Sequence, residues 1–519
     1  MSSKSDGQSF AAGERIYLHI YDYETKEFSG LTTYHGLVRI YNSNTWPSRI
    51  FWCVVVLSCL SLFMIHSGYL LFGYHSKPTL FQVNTLVAEN GILFPDITIC
   101  NYNLVETSKL KRYNMDPDIL FYILTVFSEY GSMEESPKKQ KLFDKYLADY
   151  FAYTGQNFSI TDFFMNIRPS CEETILSCSF AGELINDCCS YSEVVLTDIG
   201  YCTRLPSAKL NKTQFLSGNS YGWQFILNGN NAEDSDNDNV YTPPEMGFRV
   251  LAHESGKEYS LESRGLSVPP GATLHAGISV KNVSLLQRSE WGFCQRDWDP
   301  EIHGNLLTDR MYTATHCEWN CLAGGWLSVC GCLPVKLLAL GNLEKFTLCM
   351  PNEIQQCAKA VYANTTDCKC DVECQMIDYE TRMSYSDIVT SLMTKRFAIT
   401  EDYVRNNISV VNLYVQSMAY EQHEQQKQLQ TADLLSNIAG SMGLFLGMST
   451  VTLLEIFIYL FKSVWGTVNT ERQKQFMEAM MEEENERRQS LVIVEEPQPE
   501  VAYITVLNNS RPSTVPEVQ

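Results

Sequence analysis

Residues 50–72 read IFWCVVVLSCLSLFMIHSGYLLF, 23 residues without a single Asp, Glu, Lys or Arg. At 1.5 Å per residue, a helix of this length spans about 34 Å, which is enough to cross a hydrocarbon core of about 30 Å. A cleaved signal peptide does not fit, because the segment starts after 49 residues, is too long for an h-region and lacks a small-residue cleavage site. The stretch therefore predicts a first transmembrane helix.

A second apolar stretch, 434–461, carries three glycines and one acidic residue, Glu455. Charged side chains inside a membrane span are costly and usually face a bundle interior or water. We predict a second transmembrane helix over 434–461. Two spans leave both termini on one side of the membrane and one large loop, 73–433, on the other.

The cysteines and sequons decide on which side the loop lies. Sixteen of the 18 cysteines fall between Cys100 and Cys374, and only Cys53 and Cys59 lie in the first span. An even number of cysteines confined to one loop indicates disulfides formed in an oxidising compartment. The loop also contains N-x-S/T glycosylation sequons at Asn157, Asn211, Asn282, Asn364 and Asn407. Both patterns place the loop outside the cell and the termini in the cytoplasm.

The predicted fold class is an α+β membrane protein in which two transmembrane helices flank a large disulfide-rich extracellular domain. Its parts are a cytoplasmic segment over 1–49, the first span over 50–72, the extracellular domain over 73–433, the second span over 434–461 and a partly disordered cytoplasmic tail over 462–519. Inside the extracellular domain we expect helices over 105–130, 137–152 and 386–398, a helical cysteine-dense block over 317–374, and strands over 221–228, 246–253, 272–281 and 407–422.

Composition and motifs together argue against nucleic-acid binding, a metal site and enzymatic activity. With 39 basic and 60 acidic side chains the net charge is −21, and nucleic-acid binding requires clustered Lys and Arg. The C-x-C spacings of the cysteine block do not match zinc knuckles, and no supporting His pair accompanies them. Neither an H-E-x-x-H motif nor a phosphate-binding loop is present. We expect no nucleic-acid partner, no metal site, no catalytic residues and no enzymatic activity.

Six motifs follow one another in a fixed order along the chain. They are His-Gly at 35–36, FPDITICN at 94–101, WGFC at 291–294, YTATHCEWNC at 312–321 with VCGCLP at 329–334, CKCDVEC at 368–374, and LLSNIAGSMGLFLGMSTVTLLEIF at 434–457. In this order, with a span at each end, the chain resembles the epithelial sodium channel, degenerin and acid-sensing ion channel family over about residues 34–465. The resemblance implies a trimeric, sodium-selective, amiloride-blocked channel at the plasma membrane, whose extracellular domain has a palm, finger, thumb, β-ball and knuckle.

The resemblance also implies roles for particular residues. They are a selectivity filter at Gly447, Met448 and Ser449; a pore and gate at Ser436, Asn437, Gly440, Gly443 and Glu455; a cytoplasmic gating motif at His35 and Gly36; and a coupling pair between thumb and pore at Tyr74 and Trp291. Glycine suits a close approach of helices and a re-entrant backbone turn. Asn437 stands where the family has an acidic residue, and Met448 where many relatives have Ala.

The family order implies a ladder of disulfides. It pairs Cys100 with Cys202, Cys294 with Cys374, Cys317 with Cys370, Cys321 with Cys368, Cys330 with Cys357 and Cys332 with Cys349. The other four cysteines can pair in three ways. Because a bridge between the neighbours Cys188 and Cys189 would be strained, we favour Cys178 with Cys189 and Cys171 with Cys188.

The sequence leaves the stimulus and one alternative class open. Proton-gated relatives use clustered carboxylates, and here Glu233, Asp234, Asp236 and Asp238 face a segment, 358–367, that holds only Asp367. Protons, an extracellular peptide ligand and a constitutive leak all remain candidate modes of opening. We expect Na⁺ as the transported ion and Ca²⁺ as a candidate modulator, and we expect no cofactor. The expected partners are membrane lipid and the other subunits of a homo- or heterotrimer with related subunits. The alternative, a two-span receptor or adhesion protein without a pore, predicts an uninterrupted second span.

Overall fold

A computed structural model describes residues 34–127, 137–230, 245–299, 311–341, 346–364 and 368–468, together with residues 25, 28–30 and 32 and single positions within 478–486. It divides into two compact units. One comprises Lys77–Gln428, and the other comprises the chain up to Ser76 and from Leu429 onward.

The α-helices of the described residues are α1 (His35–Tyr41), α2 (Trp46–His75), α3 (Thr107–Leu110), α4 (Pro117–Leu124), α5 (Pro137–Thr154), α6 (Ile160–Ile167), α7 (Cys171–Thr174), α8 (Ser207–Leu210), α9 (Leu261–Arg264), α10 (Ala314–Cys330), α11 (Pro351–Asn364), α12 (Thr390–Phe397), α13 (Glu401–Asn407), α14 (Thr431–Leu446) and α15 (Thr450–Val468). Short 3₁₀ turns lie at Lys111–Tyr113, Thr125–Phe127, Cys189–Tyr191, Asn219–Tyr221, Arg288–Glu290 and Val335–Leu340.

The strands of the described residues are β1 (Thr79–Val87), β2 (Ile92–Leu93), β3 (Asp96–Asn101), β4 (Ile175–Phe180), β5 (Glu183–Ile185), β6 (Glu193–Thr197), β7 (Gly200–Leu205), β8 (Thr213–Gln214), β9 (Trp223–Asn228), β10 (Phe248–His253), β11 (Leu266–Val268), β12 (Ala272–Ser284), β13 (Gln375–Asp387), β14 (Ile408–Val415) and β15 (Ala419–Lys427). One sheet has the order β1-β15-β12-β14-β9-β4-β5 with β13 also paired to β12, and a second has the order β11-β10-β3-β7-β6.

Buried side chains of the Lys77–Gln428 unit form its core. Every residue of β3 is buried, including the polar Asp96, Thr98 and Asn101 of DITICN, and each of these polar side chains has a hydrogen-bond partner. Side chains of both sheets, among them Trp223, Phe225 and Phe248, form one apolar cluster. A second cluster lies among the helices and contains Phe143 and Trp326, both fully buried.

The structure corrects several predicted boundaries. The helix predicted over 105–130 is divided into α3, α4 and two 3₁₀ turns, because Asn114 takes a left-handed conformation (φ 43°) and Asp116 caps a new helix at Pro117. The strand predicted over 407–422 is two strands, β14 and β15, and Asn407 ends a helix instead. The break between them lies where pairing to β12 ends at Val415 and resumes at Glu421.

Eight disulfides join the sixteen cysteines of this unit. Six of the pairs are those that the family order implies. The expected pairing of the other four cysteines is wrong, because the structure joins Cys171 to Cys189 and Cys178 to Cys188. The hairpin of β4 and β5 sets Cys178 opposite Ile185, three residues before Cys188. Cys188 therefore pairs with Cys178, and Cys189 pairs with Cys171.

Among the described residues of the other unit, one helix is long and apolar enough to cross a membrane by length and composition. This is α2, a helix of 30 residues in which an 18-residue window has a mean hydropathy of 2.2, and it includes the predicted span 50–72. Helices α14 and α15 meet the same test only as a pair, and they are bent by 74° at the short break between them. Helix α14 packs along α2.

Candidate functional site

The break between α14 and α15 begins at Gly447. Its φ of +63° is left-handed, and its N–H donates to the Gly443 carbonyl at 3.0 Å, which closes the end of α14. Glycine adopts this conformation without the steric penalty of a Cβ atom. Within one chain, Gly447 therefore ends a helix and is not part of a packing surface.

Ser449 starts the next helix by a reciprocal cap. Its Oγ accepts the N–H of Thr452 at 3.3 Å, and the Thr452 Oγ1 accepts the N–H of Ser449 at 3.1 Å. A side-chain oxygen at this position satisfies a backbone donor that the helix start leaves free. The hydroxyl of Ser449 thus fixes the geometry of the break, a role that the sequence did not reveal.

Met448, between these two residues, is anchored in a small apolar cluster. It is 8% exposed and packs with Met442 and Leu446 against Cys59 and Phe63 of α2. The break is therefore braced on α2. Its backbone carbonyls lie at the negative end of α14, where the helix dipole favours a cation.

The segment before α2 is packed against the same helices. A Cβ added to Gly36 would lie 2.5 Å from Cγ2 of Val56, a β-branched side chain with little freedom to move. Gly36 lies in the first turn of α1, where the sequence led us to expect a re-entrant turn, and the side chain of His35 is outside the described residues.

Sequence reasoning missed Tyr459 as a member of this arrangement. Its hydroxyl lies 3.0 Å from Thr25 Oγ1, and its ring stacks on Phe28 with 4.7 Å between the centroids. Tyr459 thereby joins α15 to the chain before the His-Gly motif. A lone Tyr in an apolar run gave no signal by which the sequence could have identified it.

One face of α14 carries small and polar residues that no other described part of the chain covers. Ser436, Asn437 and Gly440 are all exposed, and a Cβ added to Gly440 would have no described atom within 4 Å. Residues three and four apart share a helix face. The opposite side of α14 packs on α2, so this face is free to meet a copy of the same helix.

Glu455 lies half-buried on α15 among apolar residues. Its Oε2 is shielded from solvent and has no hydrogen-bond partner among the residues that the structure describes. A buried carboxylate without a partner is unfavourable. A cation or water would satisfy it.

The two members of the expected coupling pair lie in different units. Tyr74 is in the last turn of α2, and Trp291 is in a loop of the Lys77–Gln428 unit. The ring of Trp291 lies 5.4 Å from the ammonium nitrogen of Lys427. A contact between Tyr74 and Trp291 stays a prediction.

The glycosylation sequons differ in their accessibility. Asn157, Asn211 and Asn282 are exposed, whereas Asn407 is fully buried and its amide donates to the Tyr403 carbonyl at 3.2 Å. A glycan cannot occupy a side chain that has no exposed surface, so Asn407 is wrong as a site on the folded chain. The side chain of Asn364 lies outside the described residues.

The expected carboxylate cluster cannot be placed. The acidic run at 233–238 and Asp367 all lie outside the described residues. Among the residues that are described, no group of three or more His, Cys, Asp or Glu side chains could hold a metal ion.

One catalytic pattern escaped the sequence analysis. Residues 218–222 read GNSYG, which matches G-x-S-x-G. In the structure Ser220 lies in a 3₁₀ turn that leads into β9, whereas a nucleophile elbow joins a strand to a helix. The match is therefore incidental.

His253 is a buried titratable group in the second sheet. It is 7% exposed, its Nε2 lies 2.9 Å from Thr98 Oγ1, and its Nδ1 lies 3.1 Å from the Glu254 carbonyl oxygen. Burial lowers the pKa of His253, an effect that the Glu254 hydrogen bond and the charges of Asp96 and Glu258 partly oppose. The imidazole is therefore held in its neutral form near neutral pH.

A long apolar helix, a bent apolar helix pair and a disulfide-bonded unit of helices and sheets are the features of the described residues that bear on the class of protein. The chain belongs to the amiloride-sensitive sodium channel family, whose family model matches residues 28–459. It is thus a membrane protein with a disulfide-rich extracellular region and a subunit of a sodium channel.

Individual relatives agree over nearly the same length. The mouse (Mus musculus) bile acid-sensitive ion channel is 26% identical over 455 residues, which are 85% of this chain and 88% of that protein. The zebrafish (Danio rerio) acid-sensing ion channel 1C is 26% identical over 458 residues, or 84% of this chain and 83% of that protein. Human (Homo sapiens) acid-sensing ion channel 2 is 24% identical over 455 residues, or 84% and 86%. These relatives are ion channels, which fits a non-enzymatic role.

Proposed function

We propose that the chain is one subunit of a trimeric, amiloride-blocked, sodium-selective channel in the plasma membrane, whose pore is lined by α14 and narrowed at residues 447–449. In this proposal 73–433 is extracellular, with the palm, finger, thumb, β-ball and knuckle of the family, and both termini are cytoplasmic. The α14–α15 pair is the second span. Partners are identical or related subunits and membrane lipid.

The observation that carries the proposal is the break of the second apolar helix pair. Non-helical backbone is tolerated at membrane depth only where it is buried in protein or lines water. Here Gly447 ends one helix, Ser449 starts the next, and the Met448 side chain packs away between them. Three such breaks around an axis would offer carbonyl oxygens that replace part of the hydration shell of Na⁺. Na⁺ is the transported ion, and no cofactor is needed.

Two further features support a pore. The uncovered face of Ser436, Asn437 and Gly440 allows three copies of α14 to approach closely. The unpartnered carboxylate of Glu455 becomes favourable if three copies face a cation pathway, where rings of acids attract cations. A pore-less receptor would need neither feature, and it predicts an uninterrupted span.

We propose an extracellular stimulus for opening. The named relatives respond to bile acids or to acid, so an amphiphilic acid and protons join an extracellular peptide and a constitutive leak as candidate modes. Ca²⁺ is a candidate modulator.

The test is voltage clamp of oocytes that express the wild-type chain and variants of Ser449. Ser449→Ala removes the cap oxygen, at a cost of about 1 kcal/mol per subunit, and we expect a several-fold change in the Na⁺/K⁺ permeability ratio. Ser449→Thr keeps the oxygen and serves as the conservative variant. Ser441→Ala is the matched control, because the Ser441 hydroxyl bonds to the Ile438 carbonyl within α14, away from the break.

The proposal fails if the wild-type chain reaches the surface without an amiloride-sensitive sodium current under any of the candidate stimuli. The assignment of the filter fails if Ser449→Ala gives a normal current with an unchanged reversal potential.

A further inference from the structure

The loop over residues 286–294, here termed the Trp291 loop, has an unusual backbone. Trp291 has a φ of +80°, a left-handed conformation that bulky side chains adopt only when their surroundings hold them there. The N–H groups of Glu290 and Gly292 both donate to the Gln287 carbonyl, at 2.8 and 2.9 Å. A Cβ on Gly292 would lie 1.7 Å from the Leu286 carbonyl oxygen, so this turn requires glycine.

The Trp291 loop is fastened on two sides. On one side the Cys294–Cys374 disulfide joins it to the residue before β13. On the other side it meets β15, where Gln425 Oε1 accepts the N–H of Leu286 at 3.0 Å. The Gln425 amide also donates to Thr79 Oγ1 of β1 at 3.0 Å.

Lys427 makes the second contact from the same strand. Its Nζ lies 5.4 Å from the centroid of the Trp291 ring, within the range of a cation–π interaction. Gln425 and Lys427 are two residues apart, so their side chains lie on one face of β15. Strand β15 therefore contacts the Trp291 loop at two points, the backbone N–H of Leu286 and the ring of Trp291.

Lys427 lies close in sequence to the start of α14. It is the last residue of β15, in register with Thr79 at the start of β1. Only three residues separate it from Thr431, where α14 begins. A displacement of the Trp291 loop would move the strand end from which the chain enters the proposed pore helix.

We propose that Gln425 and Lys427 form a two-point clamp through which the Trp291 loop sets the end of β15, and that Lys427 is thereby a positioning residue for channel opening. The inference rests on the proposed channel function. It adds the contact between Lys427 and the ring of Trp291, which that proposal does not include. The ammonium group of Lys427 supplies the cation–π contact of the clamp, which a neutral side chain cannot make.

The first arm of the test measures the clamp without any current. Hydrogen exchange of the purified full-length chain in lipid nanodiscs is followed for amides of residues 286–294 in wild type, Lys427→Gln and Lys427→Arg. Loss of the cation–π contact should raise exchange about two- to fivefold in Lys427→Gln, while Lys427→Arg, which keeps the cation, stays at the wild-type rate. Amides of β3 serve as the internal control, and equal exchange in all three proteins would overturn the clamp.

The second arm measures opening in oocytes with protons and a bile acid as the applied probes. We expect Lys427→Gln to shift the half-maximal concentration about two- to fivefold without changing the reversal potential, and Lys427→Arg to restore it. The double variant with Trp291→Leu should shift no further than Trp291→Leu alone, since both changes remove one contact. Additive shifts, or raised exchange with an unchanged half-maximal concentration, would overturn the positioning role. A wild-type chain without current under any of the candidate stimuli would overturn the channel proposal, and the exchange arm would then decide the clamp alone.

Discussion

The two units of the chain are stabilised by opposite means. The Lys77–Gln428 unit has fully buried Trp223 and Trp326 and eight disulfides. The helical unit leaves large apolar side chains uncovered, with Phe72 76% and Leu444 79% exposed, and its buried apolar cluster centres on Met442, Leu446 and Met448.

This difference shows which unit is complete in a single chain. An extracellular domain with its own core and cross-links buries its apolar surface alone. In the channel that we propose, the helical unit does so only with lipid and with further copies of its helices. The residues of the proposed pore belong to the incomplete unit, so their final surroundings are made on assembly.

The largest expected effect contrasts two tryptophans, one in each unit. Trp326→Ala empties a fully buried site and should lower the free energy of unfolding by about 3–5 kcal/mol. Trp465→Ala truncates a side chain that is 51% exposed and should leave the melting temperature of the purified protein nearly unchanged. Thermal unfolding together with surface labelling measures both, and equal losses for the two variants would remove the contrast between the units.

The second expected effect tests whether the uncovered face of α14 meets copies of itself. Ser436→Phe inserts a ring at that face, and overpacking costs about 1–3 kcal/mol per site, repeated in each subunit. We expect the closed state to lose stability and a standing sodium current to appear without stimulus. Voltage clamp measures the current and its block by amiloride.

Leu435→Phe is the matched control, because Leu435 is the preceding residue on the same helix and is already 69% exposed. It should remain closed at rest. If Ser436→Phe channels reach the surface and are silent, the closed constriction lies elsewhere, and Glu455 or the His35–Gly36 segment becomes the next position to test.

The smallest expected effect concerns the pH dependence of the Lys77–Gln428 unit. Because burial lowers the pKa of folded His253, the unfolded chain binds its proton more readily. Stability is therefore full above the unfolded value of about 6.5 and is lost as the pH falls from there through the folded pKa, by at most about 1.4 kcal/mol per pH unit. The melting temperature of wild type should fall more between pH 7.5 and 5.5 than that of His253→Gln, and an equal fall in both would contradict this.

The sequence predicted much of the molecule because several of its signals are local. A charge-free run such as 50–72 is far more stable out of water than in it. The six cysteine pairs that follow from the family order are also those of the structure. Errors arose where three-dimensional pairing decides, as for Cys171, Cys178, Cys188 and Cys189.

By itself the sequence determined the apolar helices and the confinement of sixteen cysteines to one loop, since hydropathy acts over a few neighbouring residues, and its resemblance to the family implied the filter residues at 447–449. Only the tertiary structure decided that Ser449 caps α15, that Asn407 is buried, and that Lys427 lies over Trp291. The last contact joins side chains 136 positions apart in the sequence, and the register of β15 together with a left-handed turn brings them together. No local pattern encodes such a contact, because it depends on where two distant segments meet.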